Sequence, residues 1–321
     1  MGIESREAWL RQIHEGKSFL LISHINPDGD TVGSVLGLRL ALLSIGKSVT
    51  IVCDGIIPPN MRMLTGYECY LKPDEVTGTY DTAIAVDISS PDMMGDSLPL
   101  FEAAKVRMVL DHHSTNLAYG EINWVRRGEA ACCQLVYDAI LALDVRITPE
   151  IANCVLLGLS TDTGHFQYAS TSSLTMHTAA ELVDAGGELS RISRLMYRSQ
   201  PMRRIQMTKI VYRKMRFECD GQIGVIELTR DDFNSTGCPF GEVDGLVNLA
   251  LEIEGVRFAL LASERENGIK ISLRAVEPDK VNDVALFFGG GGHAQAAGCT
   301  IHEPLETATA MVLEILRAKV S

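Results

Sequence analysis

The feature that most constrains this chain is a short polar loop set between an apolar run and a helix. Residues 24–30 read His24-Ile25-Asn26-Pro27-Asp28-Gly29-Asp30. They follow Phe19-Leu20-Leu21-Ile22-Ser23, which is bounded by Gly16-Lys17 and reads as a buried parallel strand. They precede Thr31 to Leu43, a run of mostly good helix formers that Gly46 stops. His24, Asp28 and Asp30 therefore fall on the loop at the carboxyl end of a strand, where open α/β sheets bind ligands. One imidazole and two carboxylates are hard ligands, better suited to Mn²⁺ or Mg²⁺ than to a thiolate-loving metal. Pro27 stiffens the loop and Gly29 lets it turn between the aspartates. Taken alone, the same residues also make an ordinary polar turn with Asp30 capping the helix.

The first half of the chain repeats this alternation. Residues 48–53, 81–87 and 106–110 read as further strands, and 129–143, 149–159 and 173–185 as helices. The pattern predicts an α/β, parallel, doubly wound sheet. Polar groups recur at the ends of its elements. The third strand ends in Asp87, and the fourth in Asp111-His112-His113-Ser114-Thr115-Asn116. Leu156 to Ser160 leads into Thr161-Asp162-Thr163-Gly164-His165-Phe166. Asp87 could be a helix cap, Asp111 to His113 a solvated turn and Asp162 a loop carboxylate. Their joint occurrence at ends that converge on one rim argues for a site.

At 321 residues, two domains are expected. No apolar run approaches a membrane span, and Met1 to Arg6 shows neither a signal peptide nor a myristoylation motif. Eight cysteines without repeated spacing read as reduced thiols, so a cytoplasmic location is expected. A formal charge of −12 argues against a general footprint for long nucleic acid, but permits a short anionic substrate.

The texture changes near Leu189. Residues 190–216 carry nine Arg and Lys side chains, interrupted by Pro201, and read as a basic helical connector whose cations could also guide an anion. The expected boundaries are a catalytic domain over 1–188, this linker over 189–216, and a smaller α+β domain over 217–321. Strands are predicted at 222–228, 258–262 and 269–274, with a hairpin turn at Asn267-Gly268. Phe287-Phe288 then runs into Gly289-Gly290-Gly291-Gly292-His293. Such a turn is either a flexible linker or a loop that aims backbone N–H groups at a phosphate.

Asp111-His112-His113 is the defining triplet of the DHH phosphoesterase superfamily, which this chain resembles over nearly its whole length. His24-x-x-x-Asp28-x-Asp30 looks like its first motif, Asp87 its second and Asp162 its fourth. Within the superfamily the chain is most similar to the nanoRNase/pAp phosphatase group, pAp being adenosine 3′,5′-bisphosphate. The resemblance implies two divalent metal ions, usually Mn²⁺. His24 and Asp28 would hold one, Asp30, His112 and Asp162 the other, and Asp87 would bridge them. Four carboxylates bring −4, which two divalent ions cancel, and such a pair can activate water for attack on phosphorus. Asp111 would orient an imidazole, and His113 would contact the substrate phosphate or protonate the leaving oxygen. Gly290, Gly291, Gly292 and His293 resemble the Gly-Gly-Gly-His element of the DHH-associated C-terminal domain, and Arg274 matches a Ser-x-Arg position that would grip a phosphate.

The implied activity is hydrolysis of short oligoribonucleotides to mononucleotides and of pAp to AMP, in a cleft between two domains, with room for a homodimer. The rivals are a family II inorganic pyrophosphatase, an exonuclease on longer single strands, a stand-alone pApA phosphodiesterase and a non-catalytic nucleotide sensor. A pyrophosphatase would need a lysine-rich clamp where Gly289 to His293 stand, and a sensor would be expected to lack a metal ligand. His165 departs from the varied or basic residue expected after the fourth motif.

Overall fold

The computed structural model describes residues 3–243 and 245–320, which divide into two compact units, Met1–Ser199 and Gln200–Ser321. The first unit runs β1 (Ile3–Glu4), α1 (Arg6–Glu15), β2 (Ser18–Ile22), α2 (Gly29–Ser44), β3 (Ser48–Val52), β4 (Tyr70–Leu71) and β5 (Thr82–Val86). It continues through α3 (Leu98–Glu102), β6 (Val106–Asp111), β7 (Ile122–Val125), α4 (Cys132–Ala142), α5 (Pro149–Asp162), α6 (Ser173–Asp184) and α7 (Leu189–Ser193). The strands form one seven-stranded sheet in the order β1-β7-β6-β5-β2-β3-β4, and every neighbouring pair is parallel.

The central strands are continuous apolar runs because both faces are covered. Phe19 and Leu21 of β2 enter the core beneath α2, α4 and α5, while Leu20 and Ile22 enter a second core with Met94 and Phe101. Chain growth proceeds from β2 to β3 and β4 on one side, then returns to add β5, β6 and β7 on the other. β2 and β5 therefore meet at the topological switch point, the position where doubly wound sheets open a crevice at their carboxyl ends. Helices α2 and α5 pack at close range. A Cβ on Gly33 would stand 2.4 Å from the Cys154 carbonyl oxygen. That approach brings the end of α5, with Asp162, to the loop that starts α2.

The second unit comprises α8 (Met202–Lys214), β8 (Arg216–Glu218), β9 (Ile223–Leu228), α9 (Arg230–Thr236), α10 (Asn248–Leu251), β10 (Phe258–Arg265) and β11 (Gly268–Ala275). α11 (Asn282–Phe287), β12 (Gly291–His293), β13 (Ala296–Ile301) and α12 (Leu305–Val320) complete it. Its six-stranded sheet has the order β12-β13-β11-β10-β9-β8, with only β9–β10 parallel. Alternate residues of β10 feed two cores: Phe258 and Leu260 one, Ala259 and Leu261 the other. The hairpin turn lies one residue earlier than Asn267-Gly268, because Arg265 pairs with Gly268 and Glu266-Asn267 forms the loop. Gly268 is needed inside the strand: its φ is 117° and a Cβ would meet the Ile301 carbonyl oxygen at 2.9 Å.

Residues 189–216 are shared between the units. α7 and a π-helical turn, Arg194–Arg198, end the first. α8 buries Met207 and Val211 in the second. Several cations of this stretch form ion pairs, Arg191 with Glu188 at 2.8 Å, Arg216 with Glu227 at 2.8 Å and Lys214 with the buried Asp232 at 2.5 Å. Among the described residues, no helix is long and apolar enough to cross a membrane.

Candidate metal centre

The rim of the first sheet gathers the six residues expected as ligands. The carboxyl ends of β2, β5 and β6 deliver His24, Asp87 and His112, and helices α2 and α5 deliver Asp30 and Asp162. Ligand atoms of His24, Asp28 and Asp87 lie within 4.8 Å of one another, as do those of Asp30, His112 and Asp162. Asp87 stands between the sets. His24 Nε2 is 3.9 Å from its Oδ2, and His112 Nε2 is 3.5 Å from its Oδ1. His112 Nε2 also faces Asp30 at 3.7 Å and Asp162 at 3.6 Å.

Local backbone needs explain part of this placement. Asp28, not Asp30, caps α2: its Oδ1 accepts from Thr31 N at 3.0 Å, and it remains largely exposed on its other side. Asp30 is 1 % exposed. Its two oxygens accept the backbone N–H groups of Cys132 at 2.6 Å and Cys133 at 2.9 Å, the first residues of α4. It thus satisfies the start of a helix a hundred residues away, where the dipole favours an anion. Asp87 has φ 61°, a left-handed conformation that Asp tolerates, and its Oδ2 accepts from Thr31 Oγ1 at 2.6 Å. His112 Nδ1 donates to the Glu129 carbonyl oxygen at 2.9 Å, which leaves Nε2 as the lone-pair nitrogen. Thr31 and the α4 amides lay beyond sequence reasoning, since nothing in their spacing marks them.

Electrostatics follow from this burial. Burial, then the Asp30 charge, pushes Asp87 well above the carboxylate range. Burial also raises Asp30, and burial with the Asp30 charge pushes Asp162 up to about 7. His24 is lowered, mainly by burial. Asp87 Oδ1 and His24 Nδ1 are buried without a hydrogen-bond partner among the described residues. A cluster of carboxylates that resist ionisation, with an orphaned oxygen between two imidazoles, fits a site built for divalent cations.

The pair next to the cluster differs in kind. Asp111 Oδ1 accepts from His113 Nδ1 at 2.7 Å. For Asp111, burial is the largest single influence and acts upward, but the His113 hydrogen bond and charge, the Asn116 hydrogen bond and the His112 charge together outweigh it, so its net shift is downward. For His113, burial acts downward and the Asp111 hydrogen bond and charge prevail, so its net shift is upward. His165 turns back on α5, with Nδ1 2.9 Å from Ser160 Oγ and its ring 5.0 Å from that of Tyr197.

In the second unit, Arg274 is the penultimate residue of β11 and donates from Nη1 to the Leu273 carbonyl oxygen at 2.9 Å. Gly289, with φ 74°, ends α11, and Gly291 and Gly292 belong to β12. Packing demands two of the glycines. A Cβ on Gly290 would stand 2.2 Å from the Gly298 carbonyl oxygen, and one on Gly292 2.4 Å from that of Ala296. The side chain of His293 lies outside the described residues.

Residues 18–159 match the profile of the DHH family, N-terminal domain, and residues 221–320 that of the DHHA1 domain. A bifunctional oligoribonuclease and PAP phosphatase NrnA of Thermus thermophilus is 33 % identical, over 94 % of this chain and 90 % of that protein. Its namesake from Bacillus subtilis is 23 % identical over 91 % and 92 %. The crystal structure of an exopolyphosphatase-related protein from Bacteroides fragilis superposes with a TM-score of 0.92 at 25 % identity, covering 98 % of this chain and 96 % of that one. A manganese-bound exonuclease RecJ shares the fold at a TM-score of 0.53 and 14 % identity, over 99 % and 95 %.

Proposed function

The chain belongs to the DHH family, and from that premise we propose that it is a two-metal-dependent phosphoesterase of the cytoplasm. Its proposed substrates are short oligoribonucleotides, cut to mononucleotides, and pAp, dephosphorylated to AMP. The supporting observation is the Asp87 carboxylate, buried with one oxygen lacking a hydrogen-bond donor among the described residues and flanked by two sets of His and Asp side chains.

In this reading His24 and Asp28 would hold one ion and Asp30, His112 and Asp162 the other, with Asp87 available to both sets. Mn²⁺ is the expected metal. The ions, when bound, would acidify the attacking water and neutralise the phosphoryl oxygens. The protein's own residues do the rest. Asp30 is held by the α4 amides and His112 by the Glu129 carbonyl, so neither side chain is free to swing away from the cluster. Asp111 holds His113 by Nδ1, so that Nε2 carries the mobile proton. Water adds to phosphorus and gives one proton to bulk solvent, the bond from phosphorus to the leaving oxygen breaks, and that oxygen takes a proton from His113, which solvent then reprotonates. Arg274, Gly290, Gly291, Gly292 and His293 are proposed to receive the far phosphate or nucleotide end. Self-association into a homodimer is part of the same proposal, and sedimentation would then give twice the 35.0 kDa chain mass.

The deciding experiment compares turnover with Mn²⁺ on a 5′-phosphorylated RNA dinucleotide, pAp and pyrophosphate. Cleavage of the first two is expected. Cleavage of pyrophosphate alone would keep the metal chemistry and overturn the substrate assignment.

A further inference from the structure

Asn116 follows His113 by three residues and has no task in the mechanism above. It is 6 % exposed. Its side-chain nitrogen donates to Asp111 Oδ2 at 2.5 Å and to the Ile88 carbonyl oxygen at 3.0 Å. Its side-chain oxygen accepts from Ala118 N at 2.7 Å. Chemistry fixes this orientation. A flipped amide would set its oxygen against two acceptors and its nitrogen against a donor.

Asp111 is fully buried. Its Oδ1 accepts from His112 N, His113 N and His113 Nδ1, and its Oδ2 is held by Asn116. Rotation of the carboxylate about its last torsion is soft unless both oxygens are held. Ile88 directly follows Asp87, whose left-handed turn opens the loop after β5. Its carbonyl oxygen also accepts from Tyr119 Oη at 3.0 Å. One amide thus clamps the acid pair and ties the end of β6 to the end of β5.

We propose that Asn116 is a positioning residue for the leaving-group acid: it locks the Asp111 carboxylate so that Oδ1 aims the His113 ring, and it anchors that pair to the turn carrying Asp87. The proposal rests on the phosphoesterase reading and on the proton-donor role of His113.

The test compares Asn116→Ala, His113→Ala and the double variant on two substrates. One is the RNA dinucleotide, whose leaving oxygen needs a proton. The other is a p-nitrophenyl nucleoside phosphate, whose leaving group does not. Asn116→Ala should lower kcat on the dinucleotide by about 10–100-fold, the usual range for partners that orient a catalytic side chain. KM and Mn²⁺ affinity should change by less than about threefold, and in the His113→Ala background the further loss should stay below about twofold, as coupled sites require. The nitrophenyl ester should be nearly unaffected. Equal losses on both substrates, or full additivity in the double variant, would mean a merely structural role and overturn the proposal. If Asn116→Ala does not fold, Asn116→Leu replaces it, being of similar shape with neither donor nor charge, and the same outcomes decide. If the wild type cleaves neither substrate, the phosphoesterase reading fails, and the clamp is then judged by proton NMR. The downfield signal of the His113 Nδ1–H bonded to Asp111, identified by its loss in Asp111→Asn, should vanish in Asn116→Ala; its retention would overturn the proposal.

Discussion

The rim of the first sheet and the glycine turn of the second unit both present themselves in the sequence as sites, yet their structures justify themselves differently. The glycines have a packing reason to exist. Gly290 and Gly292 admit neighbouring carbonyl oxygens that any Cβ would strike. The rim has such a reason only in part, since Asp28 caps α2 and Asp30 accepts the first α4 amides while the rest of its charge has no packing purpose among the described residues. Asp87 and Asp30 are buried and hard to ionise, and Asp87 keeps an oxygen without a donor. Burying a carboxylate in that condition costs stability unless something else compensates. A feature that the fold would be better without is stronger evidence for function than one the fold requires.

The largest expected effect breaks the comparison at the rim. Asp87→Ala should cut turnover by about 10³-fold or more, since metal-held charge supplies several kcal/mol to the transition state. An Asp87→Asn variant, which keeps the left-handed turn and an acceptor for Thr31, should, when freed of ions with EDTA, melt no lower than the wild type in calorimetry. A lower melting temperature would make Asp87 a structural residue. Next comes Arg274→Ala in the second unit. A lost charge-assisted contact to phosphate should raise KM by about 10–100-fold and leave kcat nearly constant. A fall in kcat at constant KM would remove Arg274 from the binding role.

A third expectation concerns acidity. Folded-state values of Asp30, Asp87 and Asp162 lie above the ordinary carboxylate range, so folding favours their protonated forms. Their contribution is complete below a pH of about 4, the unfolded value. It is lost as pH rises through the folded values, about 7 for Asp162. Metal-free protein should therefore melt lower at pH 8 than at pH 5.5, and Mn²⁺ should raise the melting temperature more at pH 8. A metal-free melting temperature that climbs over this range would contradict the sign. The smallest effect sharpens the glycine side. Gly292 has φ 139°, so Gly292→Ala should destabilise the protein by about 1–3 kcal/mol. Gly291 is exposed, with no atom within 4 Å of its would-be Cβ, so Gly291→Ala should leave the melting temperature unchanged. Reduced affinity for pAp in that variant would be evidence of a phosphate contact that packing does not explain.

Much of the rim is legible in the sequence because strand ends announce themselves. An apolar run that stops at His24, Asp87 or Asp111 places the next side chains on the carboxyl edge of a parallel sheet. The orienting groups are not legible. Asn116 reads as one more loop polar residue, the Glu129 carbonyl has no side-chain signature, and the α4 amides belong to a helix that opens with two cysteines. The outer strands are equally silent. β1 and β4 have two residues each, too short for any periodicity, and they exist because neighbours β7 and β3 offer open edges. The hairpin closes at Glu266-Asn267 because Gly268 already pairs with Arg265 of β10, at a position where the Ile301 carbonyl oxygen of β13 leaves no room for a Cβ.

The bonds from Asp30 to Cys132 and Cys133 also carry a kinetic consequence. They close separations of 102 and 103 residues, and Asp162 joins the same cluster from still farther along the chain. Contacts of such high order form late, because the loop entropy must be lost before they return anything. During synthesis, no competent ion site can exist until the chain has emerged past residue 162 and α5 has docked. On the proposed reading of the rim, a chain truncated before Asp162 would lack one of the carboxylates of that cluster and should bind a divalent ion more weakly than the full chain.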